Sequence, residues 1–236
     1  MAITDPTDIA NCLAWWDAQA IVGLNDSDEV TDELHDLVAS ADFASNQGTP
    51  FYKTNIVNGH PAVLFDGSDD CLVSTLTFGA QPTSIALYVK YISGTEKSMC
   101  GSAAFTVVLG TSAADKWRCF SATALNSTVS VDTNVQSVIG IFNGASSTIR
   151  VSGVDTNGDA GVLPGTNFFR LGAHDTGVTS GAHANFYFLE GAIYTAAITS
   201  GNMDDLEAYF TAHWAAAGGV ISPEHYYRNL LGGQSL

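Results

Sequence analysis

Three carboxylates lie close together in the segment Asp-Gly-Ser-Asp-Asp at positions 66–70. Asp66, Asp69 and Asp70 supply the hard oxygen ligands that calcium prefers, although calcium takes about six to eight of them. The segment is also a turn signal, because an Asp side chain can accept a backbone hydrogen bond and Gly67 tolerates positive φ. The sequence predicts a turn capped by Asp66, with a calcium site on the three carboxylates as the alternative and no other cofactor.

Four aromatic residues are the candidates for binding a sugar ring. An aromatic ring presents a rigid apolar face, and polar neighbours can orient a ligand on it. Trp117 is the best single candidate, because Lys116 and Arg118 flank it. The other three are Phe51, Tyr52 and Phe168. Each of the four also suits a position in the core, so both interpretations stay open.

The histidines and the late carboxylates form no recognisable catalytic pattern. The six histidines include neither a His-x-His pair nor a His-Glu-x-x-His motif, the spacing that holds zinc on a helix. Glu190 is the one carboxylate inside a clearly predicted late strand, and we expect it to make a contact at the edge or surface of a sheet.

The chain is strongly acidic, with 24 acidic and eight basic residues and a formal net charge of -16. Nucleic acids and anionic membranes are bound by clustered Lys and Arg, and the cations here are scattered along the sequence. We therefore expect neither as a direct partner. The sequence shows no signal peptide and no apolar stretch approaching about 18 residues, so we expect synthesis in the cytoplasm and no membrane span.

The four cysteines, Cys12, Cys71, Cys100 and Cys119, are widely and irregularly spaced. This spacing argues against a zinc site and predicts free thiols, with the pairings 12–71 and 100–119 as alternatives.

Alternating apolar residues predict an all-β fold. The segment 58–72 contains two turn signals, Asn58-Gly59 and Asp66-Gly67, around short apolar runs. The clearest strand is 83–92, in which four side chains share one face: Ile85, Leu87, Val89 and Tyr91. Trp15 and Trp16 lie in the opening strand, where a place in the core is favoured over a sugar-stacking role.

The predicted secondary structure changes from strands to helix after residue 198. Thr199 or Ser200 can cap a helix that begins near Asn202 and ends at 218–219, with one apolar stripe: Met203, Leu206, Phe210 and Trp214. The segment 220–236 is predicted to be an extension that docks on its own domain or on another chain through four apolar side chains: Tyr226, Tyr227, Leu230 and Leu231.

Five segments in this order resemble the laminin-G-like branch of the concanavalin A-like lectin/glucanase superfamily. They are 13–18, 47–52, 58–72, 169–172 and 188–194, followed by the closing helix. The resemblance implies a domain over residues 1–219 that folds as a two-sheet antiparallel jelly-roll sandwich with a C-terminal helix. Such modules occur in bacterial surface proteins and in bacteriophage particles.

The glucanases of this superfamily carry a Glu-x-Asp-x-x-Glu triplet, because a nucleophile and an acid must flank the scissile bond. The triplet is absent here, so we predict that the protein is not an enzyme. The predicted function is a structural protein of a bacteriophage virion, such as a capsid decoration protein, with other virion proteins or copies of itself as partners. The alternative is a carbohydrate-binding, adhesin-type module that recognises glycans.

Overall fold

The computed structural model describes residues 2–38, 41–77, 80–102, 107–162, 168–174 and 182–216, and of residues 44–46 the backbone alone. In these residues the chain forms fifteen strands and one α-helix. The elements are β1 (Cys12–Asp17), β2 (Phe43–Gln47), β3 (Phe51–Val57), β4 (His60–Asp66), β5 (Cys71–Thr77), β6 (Thr83–Ser93), β7 (Ser98–Ser102), β8 (Val108–Thr111), β9 (Lys116–Phe120), β10 (Ala124–Ser130), β11 (Val135–Phe142), β12 (Ser147–Val151), β13 (Val154–Gly158), β14 (Phe168–Leu171), β15 (Asn185–Tyr194) and α1 (Ser200–His213).

The strands form two antiparallel sheets that face each other. The larger sheet has the order β13-β12-β11-β6-β15-β4-β3, and β1 also pairs with β15. The smaller sheet has the order β10-β9-β8-β7-β14-β5-β2. This architecture confirms the predicted all-β sandwich with a C-terminal helix.

The main core lies between the sheets, and the alternation of each strand decides which side chains enter it. On β6 the inward residues are Ile85, Leu87 and Val89, as the pattern predicts. Trp16 also points inward and stacks on Phe169 with ring centroids 5.2 Å apart. Its predicted place in the core is confirmed.

Helix α1 covers part of the outer face of the larger sheet and forms a second core there. Its residues Met203, Leu206 and Phe210 pack with Trp15 and other side chains of the outer face. Thr199 caps the helix, because its hydroxyl accepts a hydrogen bond from the Asn202 amide while the Asn202 side chain accepts one from the Thr199 amide. This reciprocal cap starts the helix two residues before the predicted Asn202.

All four cysteines are free, in agreement with the favoured prediction. None of the helices in the described ranges has the length and apolarity that a membrane crossing requires. The predicted helix end at 218–219 and the docking extension 220–236, with Tyr226, Tyr227, Leu230 and Leu231, lie outside the described residues.

Candidate functional site

Part of the outer face of the larger sheet is not covered by α1, and a line of five side chains crosses it. The strand registers place Phe51 (β3), Leu64 (β4), Tyr187 (β15), Lys90 (β6) and Val135 (β11) side by side. All five are half-buried. We call them the cross-strand row. Because neighbouring strands lie about 4.8 Å apart, the row extends for about 19 Å.

A groove of about 610 Å³ lies beside the row, between α1 and the sheet. Its lining residues are Tyr88, Val135, Ser137, Ser152, Gly153, Glu207, Ala208, Thr211 and Ala212. The Tyr88 ring is held flat against Phe210, with centroids 5.2 Å apart and planes 15° apart. Val135 belongs to both the groove and the cross-strand row, so the two form one continuous surface.

Glu207 fixes the position of the helix wall relative to the sheet. One carboxylate oxygen accepts hydrogen bonds from the Ser137 hydroxyl at 2.6 Å and the Gly153 amide at 2.8 Å. The other oxygen accepts one from Arg150 Nε at 3.0 Å, and Arg150 also pairs with Asp204. Charged groups joined in such a network lose less side-chain entropy per contact than isolated pairs, so we expect a rigid groove wall.

Lys90 stands in the middle of the cross-strand row, and within the described part of the chain its ammonium group has no hydrogen bond or ion pair. It is therefore available to donate hydrogen bonds to a ligand that lies on the row. Flat apolar groups, hydroxyls and one free donor on an open surface are the combination that binds the apolar faces and hydroxyl groups of a sugar chain.

A second group of polar residues lies buried under the end of α1. Glu190 is 0% exposed, and its two oxygens accept hydrogen bonds from Trp15 Nε1 and Trp214 Nε1, both at 2.8 Å. Asp17 pairs with His213 at 2.8 Å. The ligand-type atoms of Asp17, Glu190 and His213 lie within 4.8 Å of one another. We call these three residues the buried carboxylate cluster.

The electrostatics of this cluster follow from its burial. Burial raises the pKa of Glu190 to about 8, and the negative charge of Asp17 adds to this effect. Burial lowers the pKa of His213, but the hydrogen bond to Asp17 and the charge of Glu190 outweigh it, so the net shift is upward. With a pKa of about 8, Glu190 is mostly protonated at neutral pH, which removes one negative charge from this buried cluster.

The buried position of Glu190 corrects the expectation of a contact at a sheet edge or surface. A register shift between Phe188 and Glu190 interrupts the alternation of β15 and turns Glu190 to the outer face, where α1 covers it. The signal that could have revealed this is the pair of indole donors, Trp15 and Trp214. They lie 175 and 24 residues from Glu190 in sequence, which is why a linear pattern does not connect them.

The predicted acidic residues do come together in the turn 66–70. The Ser68 amide donates to Asp66 Oδ1 at 2.7 Å, and Gly67 has φ of 81°, which confirms the predicted capped turn. Asp70 is buried and accepts from the amides of Thr49 at 2.6 Å and Asp66 at 2.8 Å. Burial raises the pKa of Asp70 to about 6, and the charges of Asp66 and Asp69 add to the shift.

These contacts fit a hydrogen-bonded turn better than a calcium centre. The ligand-type atoms of the three carboxylates lie within 4.8 Å of one another. However, three residues supply fewer oxygens than the roughly six to eight that calcium takes, and both Asp70 oxygens already accept backbone hydrogen bonds. Calcium binding by Asp66, Asp69 and Asp70 stays a prediction from the sequence.

Replacing Asp70 with alanine is expected to lower the free energy of unfolding by about 2–4 kcal/mol. The amides of Thr49 and Asp66 would each lose their acceptor, and an unsatisfied donor in such a place costs about 1–3 kcal/mol. Urea denaturation of the two proteins measures the difference. Asp69→Ala, which leaves both hydrogen bonds intact, is the matched control, and equal losses in the two variants would contradict this account of the turn.

The structure separates the four predicted sugar-binding aromatic residues. Trp117 is 0% exposed and donates from Nε1 to Gln136 at 3.0 Å, and Tyr52 is 8% exposed in the main core. The alternation of β9 and β3 points these side chains inward, so the structure places both in the core, which is the second of the two interpretations left open by the sequence. Phe168 is 49% exposed but belongs to the smaller sheet. Of the four, Phe51 alone lies on the cross-strand row.

The described residues define a two-sheet antiparallel β-sandwich, and solved structures of glycosidases contain domains with a similar fold. One solved structure with a similar fold is the Trypanosoma rangeli sialidase in complex with 2,3-difluorosialic acid, with a TM-score of 0.58 and 14% identity over 84% of this chain. The chain spans 33% of the length of that sialidase chain.

Two further solved structures share the sandwich. Domain 4 of AbnA, a GH43 extracellular arabinanase from Geobacillus stearothermophilus in complex with arabinotriose, has a TM-score of 0.56 and 13% identity, over 84% of this chain and 98% of that domain. An arabinofuranosidase complexed with arabinofuranosyl-alpha-1,2-xylobiose has a TM-score of 0.51 and 14% identity, over 86% of this chain and 49% of that one. No family model matches the sequence, and no curated protein matches it.

These similarities correct two predictions. The similar structures belong to carbohydrate-active proteins, so the interpretation as a bacteriophage virion protein is wrong, and a phage origin has no support. The firm prediction that the protein is not an enzyme is wrong as well, because glycosidases are among these structures. The missing Glu-x-Asp-x-x-Glu triplet excludes one arrangement of carboxylates and no more. At identities of 14% or less, the likeness itself shows the fold alone.

Proposed function

We propose that this protein binds carbohydrate on the cross-strand row and the adjoining groove. The observation that carries the proposal is the row itself, in which Phe51, Leu64 and Tyr187 lie side by side on a part of the outer sheet face that α1 leaves uncovered. Apolar side chains in such a line can contact successive sugar rings, and Lys90 can donate hydrogen bonds to their hydroxyls.

The comparisons support the proposal at the level of the fold. Domain 4 of the arabinanase aligns with 84% of this chain over 98% of its own length, and its structure is a complex with arabinotriose. The sheet in this chain is also rigid where the ligand would lie, because Tyr187 is flanked by the inward residues Phe186 and Phe188 of the main core. A rigid surface lowers the entropic cost of binding.

Replacing Tyr187 with alanine is expected to weaken glycan binding by about tenfold or more, because a central aromatic contact typically contributes more than about 1 kcal/mol. A glycan array identifies the ligand, and isothermal titration calorimetry measures the loss. Phe51→Ala should weaken binding in the same direction, since Phe51 lies on the same row.

Phe168→Ala is the matched control, because Phe168 is an exposed aromatic residue on the other sheet. It should leave binding unchanged. Circular dichroism spectra and melting temperatures of all three variants verify that they fold. Equal affinity of the Tyr187→Ala variant and the unaltered protein for every bound glycan would remove this surface as the binding site.

A further inference from the structure

We infer that the ligand is an interior stretch of an extended, uncharged polysaccharide, and this inference rests on the proposed function. A site for a terminal sugar encloses the sugar and surrounds its hydroxyls with polar groups. The surface described above has a different form. Its contacts are drawn out in a line across five strands, with α1 running beside them as one wall.

The groove end of the surface allows a longer chain to continue. At the Phe51 end, the segment 27–30 adds one more length of backbone to the sheet: it hydrogen-bonds to Pro50 and Tyr52, and Glu29, which is exposed, lies opposite Phe51. At the other end, the groove reaches the turn between β12 and β13, where Ser152 and Gly153 are exposed and offer little bulk. A ligand of about 19 Å would fill the cross-strand row alone, and a longer one would extend into the groove.

The side chains of α1 that face the groove are consistent with a passing chain. Ala208 and Ala212 lie on its helix wall and leave room above the Tyr88 ring. Thr211 adds a hydroxyl to this wall, although that hydroxyl donates to the Glu207 carbonyl at 2.8 Å. The wall therefore limits the sideways position of a ligand without closing over it.

The charges around this surface argue for an uncharged ligand. Asp66 is exposed two residues from Leu64 on the same sheet face, and beside the groove three carboxylates, Asp155, Asp204 and Glu207, surround Arg150 and leave an excess of negative charge. Lys90 is the one cation in the cross-strand row, and the whole chain carries a net charge of -16. A polymer with a carboxylate on each sugar would meet repulsion at several places, most strongly at low salt.

The test measures affinity against chain length on the full chain. Isothermal titration with arabinan, xylan and β-glucan oligosaccharides of one to eight units is the first measurement. For the series that binds, affinity should rise at least tenfold from the disaccharide to the length that fills the row and then level off. Oligogalacturonates of equal length should bind at least tenfold more weakly at low salt.

A blocking variant locates the far end of the surface. Ala212→Trp places a large ring in the groove at an exposed helix position, so it should remove the gain in affinity shown by the longest oligosaccharides and leave the shortest bound ones unaffected. Asp205→Trp, a substitution at a half-buried position of α1 that does not line the groove, is its control and should change neither the gain in affinity of the longest oligosaccharides nor the binding of the shortest ones.

The outcomes separate the two proposals. If no glycan of any length or charge binds, the proposed function fails and the inference fails with it. If a monosaccharide binds as tightly as the longest oligosaccharide, or if the charged series binds best, carbohydrate binding stands and the inference about an extended neutral chain is overturned.

Discussion

Replacing Glu190 with alanine is expected to lower the free energy of unfolding by about 3–5 kcal/mol. The two Glu190 oxygens accept the indole N–H groups of Trp15 and Trp214. These donors are buried, and each one left without an acceptor costs about 1–3 kcal/mol. The cavity left by the shortened side chain adds to the loss.

Urea denaturation at pH 6, followed by tryptophan fluorescence, measures this effect. Glu190→Gln keeps one acceptor oxygen and nearly the same volume, so its loss should be about half that of the alanine variant or less. Asp205→Asn changes a half-buried carboxylate on α1 with almost no change in volume and should stay within about 0.5 kcal/mol of the unaltered protein. A loss below about 1 kcal/mol for Glu190→Ala would show that the two indole contacts do not stabilise the fold.

The same substitution connects stability to the proposed binding surface. Trp214 directly follows α1, and its side chain reaches back to Glu190 from the end of the helix. Residues 207, 208, 211 and 212 of that helix form the wall of the groove. Loss of the Glu190 contacts should therefore loosen the wall and weaken binding of the oligosaccharides that extend into the groove.

The contribution of Glu190 to stability is expected to fall by about 2–5 kcal/mol as the pH rises from about 5 to 9. Its folded-state pKa of about 8 lies above the ordinary 4.5, so the folded protein holds the proton more tightly than the unfolded chain. This contribution is complete below about pH 4.5 and is lost between there and pH 8. The pKa of His213 is also raised, so its contribution is present below about pH 6.5 and is lost as the pH passes its folded-state pKa.

Comparison with Glu190→Gln isolates this effect from other titrating groups. Asp8, Asp26 and Glu33 have lowered pKa values, which act in the opposite direction, but both proteins contain them. The unaltered protein should lose stability relative to the Gln variant between pH 5 and 9, as measured by denaturation at each pH. A difference that stays constant over this range, or that grows in favour of the unaltered protein, would contradict a protonated Glu190 in the fold.

Local patterns in the sequence determined the two-sheet sandwich and its closing helix. On β6 every second residue from Ile85 to Val89 is apolar and buried, because successive side chains of a strand point to opposite faces. The stripe of Met203, Leu206 and Phe210 and the cap at Thr199 likewise depend on residues a few positions apart. Such short-range rules apply before any tertiary contact forms.

Which of these side chains stay accessible was decided by the tertiary structure. The alternation places both Trp117 and Tyr187 on defined faces, but it does not tell which face lies inside the sandwich and which remains open. The cross-strand row joins residues as distant as Phe51 and Tyr187 through strand registers. Glu190 becomes buried through a helix and an opening strand that are remote in sequence. Burial and register depend on long-range packing, which no local spacing encodes.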